Sequence, residues 1–314
     1  MDNLSRDKGL HHITALAGDP QQNVNFYQRS LGLRLIKKTV NFDEPQTYHL
    51  YYSNQAGAVG SNITFFPFTR AAQGKQGSGQ AFTISFSVPE HSAEFWAEHL
   101  SGQGVDFEGP FERFNTEVIR FQDPDGLTLE LVAHPEAKKQ NTWSNAPISS
   151  DHAIRGIWGT VLRVEEARPT GEILTSLLGF SQTREETDQE LYRTGSDTGN
   201  AVIIEEVEPT ESKNGKGIIH HVAFRSNSKQ ESQQLREKLQ NRGLHPSPVV
   251  DRYFFESIYF PTPGGILFEV ATDKPGFNRD PIPDQPGETL FLPPWLENRR
   301  ERIEKRLPEL NAKI

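Results

Sequence analysis

One pattern recurs four times along this chain: a short alternating strand, a helix that ends near a glycine followed by an apolar residue, and further strands rich in β-branched and aromatic residues. The four copies open at residues 9–16, 81–86, 156–161 and 217–224. A unit of one strand, one helix and about three more strands leaves one sheet face that it cannot bury alone. The units must therefore pair, and the repeat predicts an α+β protein of four βαβββ modules combined into two domains.

The repeat also predicts where the chain divides. The predicted divisions are a first module pair at 1–134 (modules at about 9–68 and 80–134), a linker at 135–150, a second pair at 151–274 (modules at about 154–207 and 217–273) and a C-terminal extension at 275–314. The linker is polar and lacks apolar periodicity, and a surface loop inside one α+β domain is the alternative. Residues 295–310 are predicted to form a helix docked on the body, with an oligomer contact as the alternative.

Composition narrows the chemistry. The 314 residues include no cysteine, which excludes thiolate nucleophiles, iron–sulfur clusters, disulfides and cysteine-type zinc sites. A bound metal would need histidine, aspartate or glutamate ligands. The net charge of −9 gives no general attraction to nucleic acid or to an anionic membrane. With no signal-peptide pattern and no apolar run long enough to span a bilayer, we expect a soluble cytoplasmic protein.

Alignment of the modules reveals a candidate metal site. The residues that share one position on the four first strands are His12, Thr83, Gly159 and His221. The residues that correspond on the closing strands are Thr64 or Phe65, Glu130, Ile203 and Glu269. Two imidazoles and one carboxylate from the first and fourth modules predict a facial triad of His12, His221 and Glu269, which is typical of non-haem Fe(II) oxygenases.

Each ligand histidine belongs to a His-His doublet. A single strand histidine is usually just a hydrogen-bonded polar residue, but two doublets at the same place in two repeats are hard to obtain by chance. Adjacent strand residues point to opposite faces, so we expect one histidine of each doublet to reach the metal. The alignment favours His12 and His221 as ligands, with His11 and His220 beside them; the reverse assignment is the alternative.

These motifs resemble the vicinal oxygen chelate superfamily, which includes glyoxalases, bleomycin-resistance proteins and type I extradiol dioxygenases. Within it the chain is similar to the hydroquinone-type ring-cleaving dioxygenases. The resemblance extends from about residue 10 to the C-terminal helix and is strongest in four segments: 10–14, 48–51, 217–221 and 263–269. The four segments together are specific for this group of dioxygenases, whereas each segment alone is weak support for the resemblance.

The resemblance implies an enzyme that uses Fe(II), or alternatively Mn(II), with O₂ and a small aromatic substrate. It implies metal ligands at His12, His221 and Glu269. The residues that it implies around the substrate are His11, Thr14, His220, Arg252 and Tyr259. Arg252 and Tyr259 are seven residues apart, so a turn or bulge must intervene if both line one pocket. Whether the protein forms a homo-oligomer stays open, with the oligomer contact of residues 295–310 as the alternative named above.

Other chemistries of the superfamily stay open at this point. A glyoxalase-type isomerase or lyase would fill a fourth ligand position, where this chain offers Thr64 or Phe65, and that vacancy favours O₂ chemistry. A non-catalytic binding protein would need no metal triad. The resemblance implies a hydroquinone rather than a catechol. The polar groups implied beyond the triad give this partial support, because a hydroquinone brings one oxygen to the metal and relies on the protein to orient its ring. The candidates for an aromatic wall are Phe66, Phe224, Phe254 and Phe255.

Overall fold

The structure is a computed structural model. It describes residues 4, 6–54, 57–139, 142, 147–279, 287 and 289–312, so residues 140, 141 and 143–146 of the predicted linker and residues 280–286 and 288 of the proline-rich segment lie outside the described residues. The described part consists of sixteen strands and a few short helices. No helix within it has the length and apolar character needed to cross a lipid bilayer.

All four predicted modules are present, each with one helix after its first strand. The first contains β1 (Leu10–Ala17), α1 (Pro20–Asn25), a π-helical turn (Phe26–Ser30), β2 (Arg34–Val40), β3 (Tyr48–Ser53) and β4 (Asn62–Pro67). The second contains β5 (Gln80–Pro89), α2 (Ala93–Gly102), β6 (Phe107–Arg113), β7 (Thr116–Gln122) and β8 (Thr128–His134). The third contains β9 (Gly156–Val164), α3 (Ala167–Leu177), β10 (Ser181–Glu186), β11 (Gln189–Arg193) and β12 (Ala201–Glu206). The fourth contains β13 (Ile218–Ser226), α4 (Lys229–Asn241), β14 (Val250–Asp251), β15 (Glu256–Pro261) and β16 (Leu267–Thr272). The predicted α+β class and the βαβββ repeat are confirmed.

The modules combine into two eight-stranded sheets that do not follow the order of the chain. One sheet has the strand order β14-β15-β16-β13-β1-β4-β3-β2, and the other has the order β10-β11-β12-β9-β5-β8-β7-β6. The first and fourth modules therefore share one sheet, and the second and third share the other, because the opening strands pair antiparallel as β1 with β13 and β5 with β9. Each sheet draws one module from each predicted half. The division at 1–134 and 151–274 stays a prediction.

Strand alternation separates the core from the site face. Along β1, Ile13 and Ala15 belong to the main hydrophobic core, whereas His12 and Thr14 point to the other face of the sheet. The helices pack on the core side, as α4 does against β13, β15 and β16. The polar residues His12 and Thr14 of β1 therefore lie on the face of the sheet opposite the core and the helices.

Helix α1 shows why these modules have sharp boundaries. The Asp19 side chain accepts a hydrogen bond of 2.8 Å from the Gln22 amide, and Pro20 occupies the first turn, where its missing N–H costs nothing. The chain leaves the helix at Gly32, whose φ of +69° suits glycine. Asp19 therefore caps the start of this helix, and Gly32 allows the chain to turn away after it.

The C-terminal helix is shorter than predicted. Two separate turns, α5 (Pro294–Glu297) and α6 (Arg300–Glu304), replace the continuous helix expected over 295–310. Ile303 is buried, but Trp295 is 47% exposed and touches the rings of Phe42 and Tyr253. Helical dihedral angles are lost at Arg299, where φ is −112° and ψ is 5°. The segment packs on the body beside residue 42.

Candidate metal centre and its cavity

Three buried side chains converge on one point. Glu269 Oε2 lies 2.9 Å from His221 Nε2 and 3.3 Å from His12 Nε2, and the two imidazole nitrogens are 3.3 Å apart. Within the part of the chain that the structure describes, this is the one group of three histidine or acidic residues with ligand atoms this close. Glu269 Oε2 is buried without a hydrogen-bond partner. A divalent cation would satisfy that oxygen and both nitrogens, so the residues fit a metal ion.

Strand pairing explains the convergence. His12 lies on β1 and His221 on β13, the two central strands of the sheet, and Glu269 lies on β16, the parallel neighbour of β13. Glu269 pairs with Ala223, which is also the residue opposite His12. The three ligands are far apart in sequence and adjacent in the sheet.

The ionisation of the site suits a cation. Burial alone would raise the pKa of Glu269, but the neighbouring imidazoles of His12 and His221 hold it well below its ordinary value. Burial lowers the pKa of His221 despite the opposing attraction of Glu269. The carboxylate is therefore charged, and His221 is neutral with a free lone pair near neutral pH.

The fourth position of the alignment is occupied by Thr64, which pairs with Thr14 of β1. Its hydroxyl lies 2.7 Å from Thr14 Oγ1 and 2.9 Å from His49 Nε2. Phe65, the alternative, is fully buried and packs against Tyr27. A hydroxyl that is already paired with a histidine stands where a fourth carboxylate or amide ligand would lie.

A cavity of about 310 Å³ opens beside the triad. Besides the three ligands, it is lined by Asn41, Phe42, Asp43, His49, Tyr51, Phe66, Phe68, His220, Arg252, Phe255, Tyr259 and Leu267. This triad cavity has aromatic walls and a few polar groups, the usual composition of a small-molecule site. Its volume suits a ligand with one ring.

His49 is a cavity residue to which the sequence analysis assigned no role. Its Nε2 contacts Thr64, and its Nδ1 lies 2.8 Å from the Tyr51 hydroxyl. Burial, aided by His12 and His221, holds the pKa of His49 well below its ordinary value, so the ring is neutral. The alternation of the segment 48–51 was the available signal, because it places His49 and Tyr51 on one face of β3.

Arg252 and Tyr259 both line the cavity, because a turn intervenes as expected. The amide of Arg252 bonds the carbonyl of Phe255, and Tyr253 has a φ of +68° in this turn. Arg252 Nε donates to Tyr259 Oη at 3.0 Å, and its Nη1 donates to Asp43 Oδ2 at 2.8 Å.

The same tyrosine reaches the triad. Tyr259 Oη donates to Glu269 Oε1 at 3.0 Å, and the Ser257 hydroxyl donates to the same oxygen. Glu269 Oε1 therefore accepts hydrogen bonds from two hydroxyls, and Oε2 stays available to bind a metal. Burial, and then the charge of Glu269, raise the pKa of Tyr259 far above its ordinary value, so it stays protonated.

The remaining predicted site residues have different positions. His220 lines the cavity and contacts Phe66, and burial lowers its pKa to about 4. His11 and Thr14 are buried outside the cavity lining, and their catalytic role stays a prediction.

The predicted aromatic wall is half right. Phe66 and Phe255 line the cavity, but Phe224 packs on Phe268 in the core. Phe254 packs on Phe277 in a separate aromatic cluster. Strand alternation directs Phe224 away from the site face, and the turn after Arg252 does the same for Phe254.

Among the described residues, the second sheet repeats this architecture without a group of three histidine or acidic side chains that could hold a metal. Glu130 pairs with Ser85 as Glu269 pairs with Ala223, but its carboxylate accepts hydrogen bonds of 2.7–3.1 Å from Arg113 and Arg120. Burial would raise the pKa of Glu130, yet Arg113 and the other donors lower it. Two guanidinium groups hold the position that a cation would need.

Comparison with known proteins now decides the family. Residues 9–131 and 156–270 match the model of the Glyoxalase/Bleomycin resistance protein/Dioxygenase superfamily. The chain belongs to this superfamily. The two matched segments correspond to the first and second module pairs of the sequence.

The superfamily relatives include proteins of nearly the same length. The chain is 40% identical over 299 residues to "Putative ring-cleaving dioxygenase MhqO" of Bacillus subtilis, with 95% of each chain covered. It is 29% identical to the "Chlorohydroquinone/hydroquinone 1,2-dioxygenase" of Sphingobium indicum, again with 95% of each covered. These are the kinds of enzyme that the sequence motifs resemble.

Solved structures agree in fold. The crystal structure of a "putative dioxygenase" from Bacillus subtilis superimposes with a TM-score of 0.92 at 39% identity, covering 97% of this chain and 98% of the other. Glyoxalase I from Zea mays superimposes with a TM-score of 0.63 at 16% identity, covering 85% and 92%. The second likeness concerns the fold alone.

Proposed function

We propose that this protein is a metal-dependent ring-cleaving dioxygenase of hydroquinone-like aromatic compounds. The observation that carries the proposal is the convergence of His12 Nε2, His221 Nε2 and Glu269 Oε2 in the lining of a ring-sized cavity. Three protein ligands leave metal positions open for a substrate oxygen and for O₂. The names of the nearly full-length relatives support the same reaction class.

The donor set favours Fe(II). Two imidazoles and one carboxylate with open positions are characteristic of non-haem Fe(II) oxygenases, and Mn(II), which accepts the same donors, is the alternative. When bound, the ion supplies Lewis-acid activation of a phenolic oxygen and electronic contact between the phenol and O₂. The hydroxyl of Thr64 in the fourth ligand position argues against a glyoxalase-type centre.

A hydroquinone is the substrate that we favour over a catechol. A catechol can hold a metal with two adjacent oxygens, whereas a hydroquinone offers one, so the protein has to orient the remainder of the ring. Phe66 and Phe255 supply walls, and the polar side chains of Asn41 and His220 lie in the same lining. These groups are available to a hydroxyl on the far side of the ring.

His49 is the residue best placed to move the phenolic proton. It is neutral, it lines the cavity, and its nitrogens contact Thr64 and Tyr51 hydroxyls that can each donate or accept. A proton from the substrate can reach His49 Nδ1 through the Tyr51 hydroxyl, which lines the cavity, and be matched by release from Nε2 to the Thr64 hydroxyl. Of the two histidines that the resemblance implies beside the substrate, His220 also lines the cavity, whereas His11 does not and is less favourable as a proton carrier.

Arg252 and Tyr259 are placed to stabilise negative charge. Arg252 carries a permanent cation into the cavity, and Tyr259 keeps its proton because burial raises its pKa. Charge that develops on oxygen during ring opening would lie near both donors. Pairing of Arg252 with Asp43 holds the guanidinium at the cavity wall.

The direct test is O₂ consumption by anaerobically prepared, Fe(II)-loaded protein. We expect faster uptake with a methyl- or chloro-substituted hydroquinone than with the matching catechol, and a ring-opened product that retains both atoms of ¹⁸O₂ in mass spectrometry. Apoprotein and the Glu269→Ala variant should be inactive.

Two results would overturn the proposal. Preference for catechols would move the protein to the ordinary extradiol enzymes, and isomerisation of hemithioacetals without O₂ would revive the glyoxalase alternative. The expected cytoplasmic location stays a prediction, and the oligomeric state stays open.

A further inference from the structure

Both His-His doublets lie at β-bulges in the same strand pair. The β1–β13 register passes from Leu10↔Phe224 to His12↔Ala223, which leaves His11 without a partner in the ladder. It passes from Thr14↔His221 to Ala15↔Ile219, which leaves His220 without one in the same way. A bulge re-aims a side chain that regular alternation would send to the opposite face.

The bulges bring the two rings of each doublet into hydrogen-bond contact. His11 Nδ1 lies 2.8 Å from His12 Nδ1, and His220 Nδ1 lies 2.7 Å from His221 Nδ1. Each contact joins nitrogen to nitrogen, so one of the two atoms must carry a proton and the other must accept it. The sequence-based expectation of opposite faces does not hold for these doublets.

The triad decides which nitrogen is the donor. His12 Nε2 faces Glu269 Oε2, so a metal ligand there needs its lone pair on Nε2. The single proton of a neutral His12 then lies on Nδ1 and is donated to His11. His221 donates its Nδ1 proton to His220 for the same reason, because its Nε2 faces the same carboxylate oxygen.

His11 is held in the matching tautomer. Since His11 Nδ1 faces His12 and accepts its proton, the nitrogen that carries the proton of a neutral His11 is Nε2. The ring is 2% exposed and stacks edge-on against Phe255, with centroids 5.1 Å apart. It lies outside the lining of the triad cavity, so its polar contact is with the ligand His12.

We propose that His11 and His220 are positioning residues that fix the tautomer and ring orientation of the ligands His12 and His221. Metal-bound histidines commonly donate their second N–H to a carboxylate, a carbonyl or water, and here a neighbouring imidazole takes that place. This inference rests on the proposed metal centre. It assigns His11 to the ligand, not to the substrate.

The second sheet provides an internal comparison. The β5–β9 pair has bulges at Phe82 and Trp158, the positions that match His11 and His220. The residues that follow them, Thr83 and Gly159, offer no imidazole. The bulged backbone therefore does not require histidine, and it accepts an aromatic ring. Histidine occupies the bulge in the sheet where the next residue is a candidate ligand.

The experiment compares His11→Phe with His11→Gln in the full-length chain. Phenylalanine fits such a bulge, as Phe82 shows, but cannot accept the His12 proton, whereas the glutamine carbonyl oxygen can. Co(II) affinity is measured anaerobically by competition with a chelator. We expect His11→Phe to weaken binding by about 10- to 100-fold and His11→Gln to stay within about threefold of the wild type.

A second measurement does not depend on variants. Nitrogen NMR of the Zn(II)-loaded wild type should show His12 and His221 protonated at Nδ1 and His11 protonated at Nε2. Equal Co(II) affinity of the two variants, or a proton on His12 Nε2, would overturn the inference. Failure of the wild type to bind Co(II) would instead overturn the metal centre itself, and with it the proposed function.

Discussion

Glu269 and Glu130 lie at matching register positions on β16 and β8, yet they meet opposite kinds of partner. Glu269 faces two imidazole nitrogens and keeps one oxygen without a hydrogen bond, whereas Glu130 is held by Arg113 and Arg120. A carboxylate that is neutralised by two permanent cations has little attraction left for a divalent metal. The two sheets therefore share a framework but differ in the charge at its centre.

Replacement of these two glutamates should separate metal binding from stability. We expect Glu269→Ala to lose metal, measured by Co(II) titration, because it removes one of three ligands. We expect Glu130→Gln, at the matching position, to retain metal but to lose stability by about 3–5 kcal/mol, because Arg113 is left buried beside an uncharged partner. Urea unfolding measures the second effect.

The outcome that contradicts this prediction is a variant without Glu269 that still binds stoichiometric metal. Loss of metal in Glu130→Gln, with its sheet still folded, would also show that the two sites are coupled in a way that their separate sheets do not suggest.

His49→Phe should slow turnover and spare the metal. The expected loss in kcat is about 10²- to 10⁴-fold, because a proton-transfer group is removed while an aromatic ring still fills the space. Co(II) affinity should stay within a few fold, since His49 contacts Thr64 and Tyr51 and is not one of the converging ligands. Near-normal turnover in this variant would exclude His49 as the proton carrier.

Arg252→Ala and Tyr259→Phe should lower kcat more than metal affinity. Each removes a donor that can stabilise negative charge on oxygen, an effect of about 10- to 1,000-fold. Tyr259 also donates to Glu269 Oε1, so its variant should show a small loss of metal affinity that Arg252→Ala lacks. Steady-state kinetics with matched metal titrations would measure both. A purely KM effect in both variants would limit them to substrate binding.

Asp123 gives a pH-dependent prediction outside the metal site. Burial, opposed by hydrogen bonds from Leu127 N–H and the Tyr27 hydroxyl, raises its pKa from 3.8 to about 6. The folded protein therefore holds this proton more tightly than the unfolded chain does, so the group's contribution to stability is full below about pH 4 and is lost as pH rises through about 6.

Asp123→Asn removes this titration because asparagine stays neutral. We expect the stability of the variant relative to the wild type to improve by up to about 3 kcal/mol between pH 4 and pH 7. Urea unfolding of apoprotein at several pH values measures the difference. A relative stability that is flat over this range would show that Asp123 titrates normally in the folded state.

The sequence by itself determined the repeat and the ligand types. Two alignments from the sequence agree with the observed pairing registers: His12 with His221 on the first strands, and Glu130 with Glu269 on the closing strands. Both alignments depend on local periodicity and on turn residues, which are visible along the chain. The absence of cysteine limited any metal to histidine and carboxylate ligands. The periodicity, the turn residues and the ligand types can each be read from the residues of a single module, without knowing how the modules pair.

Only the tertiary structure decided how the modules combine and what surrounds the ligands. The pairing of β1 with β13 brings together residues 209 positions apart. The predicted triad already required the first and fourth modules to meet, but no local pattern encodes which of their strands pair. The bulges at His11 and His220 reverse the alternation that the sequence predicts, and the contact of His49 with Thr64 depends on β3 lying beside β4. Long-range strand pairing sets these positions. The neighbours of a side chain across a sheet are determined by the register between paired strands, and not by the sequence of the strand that carries it.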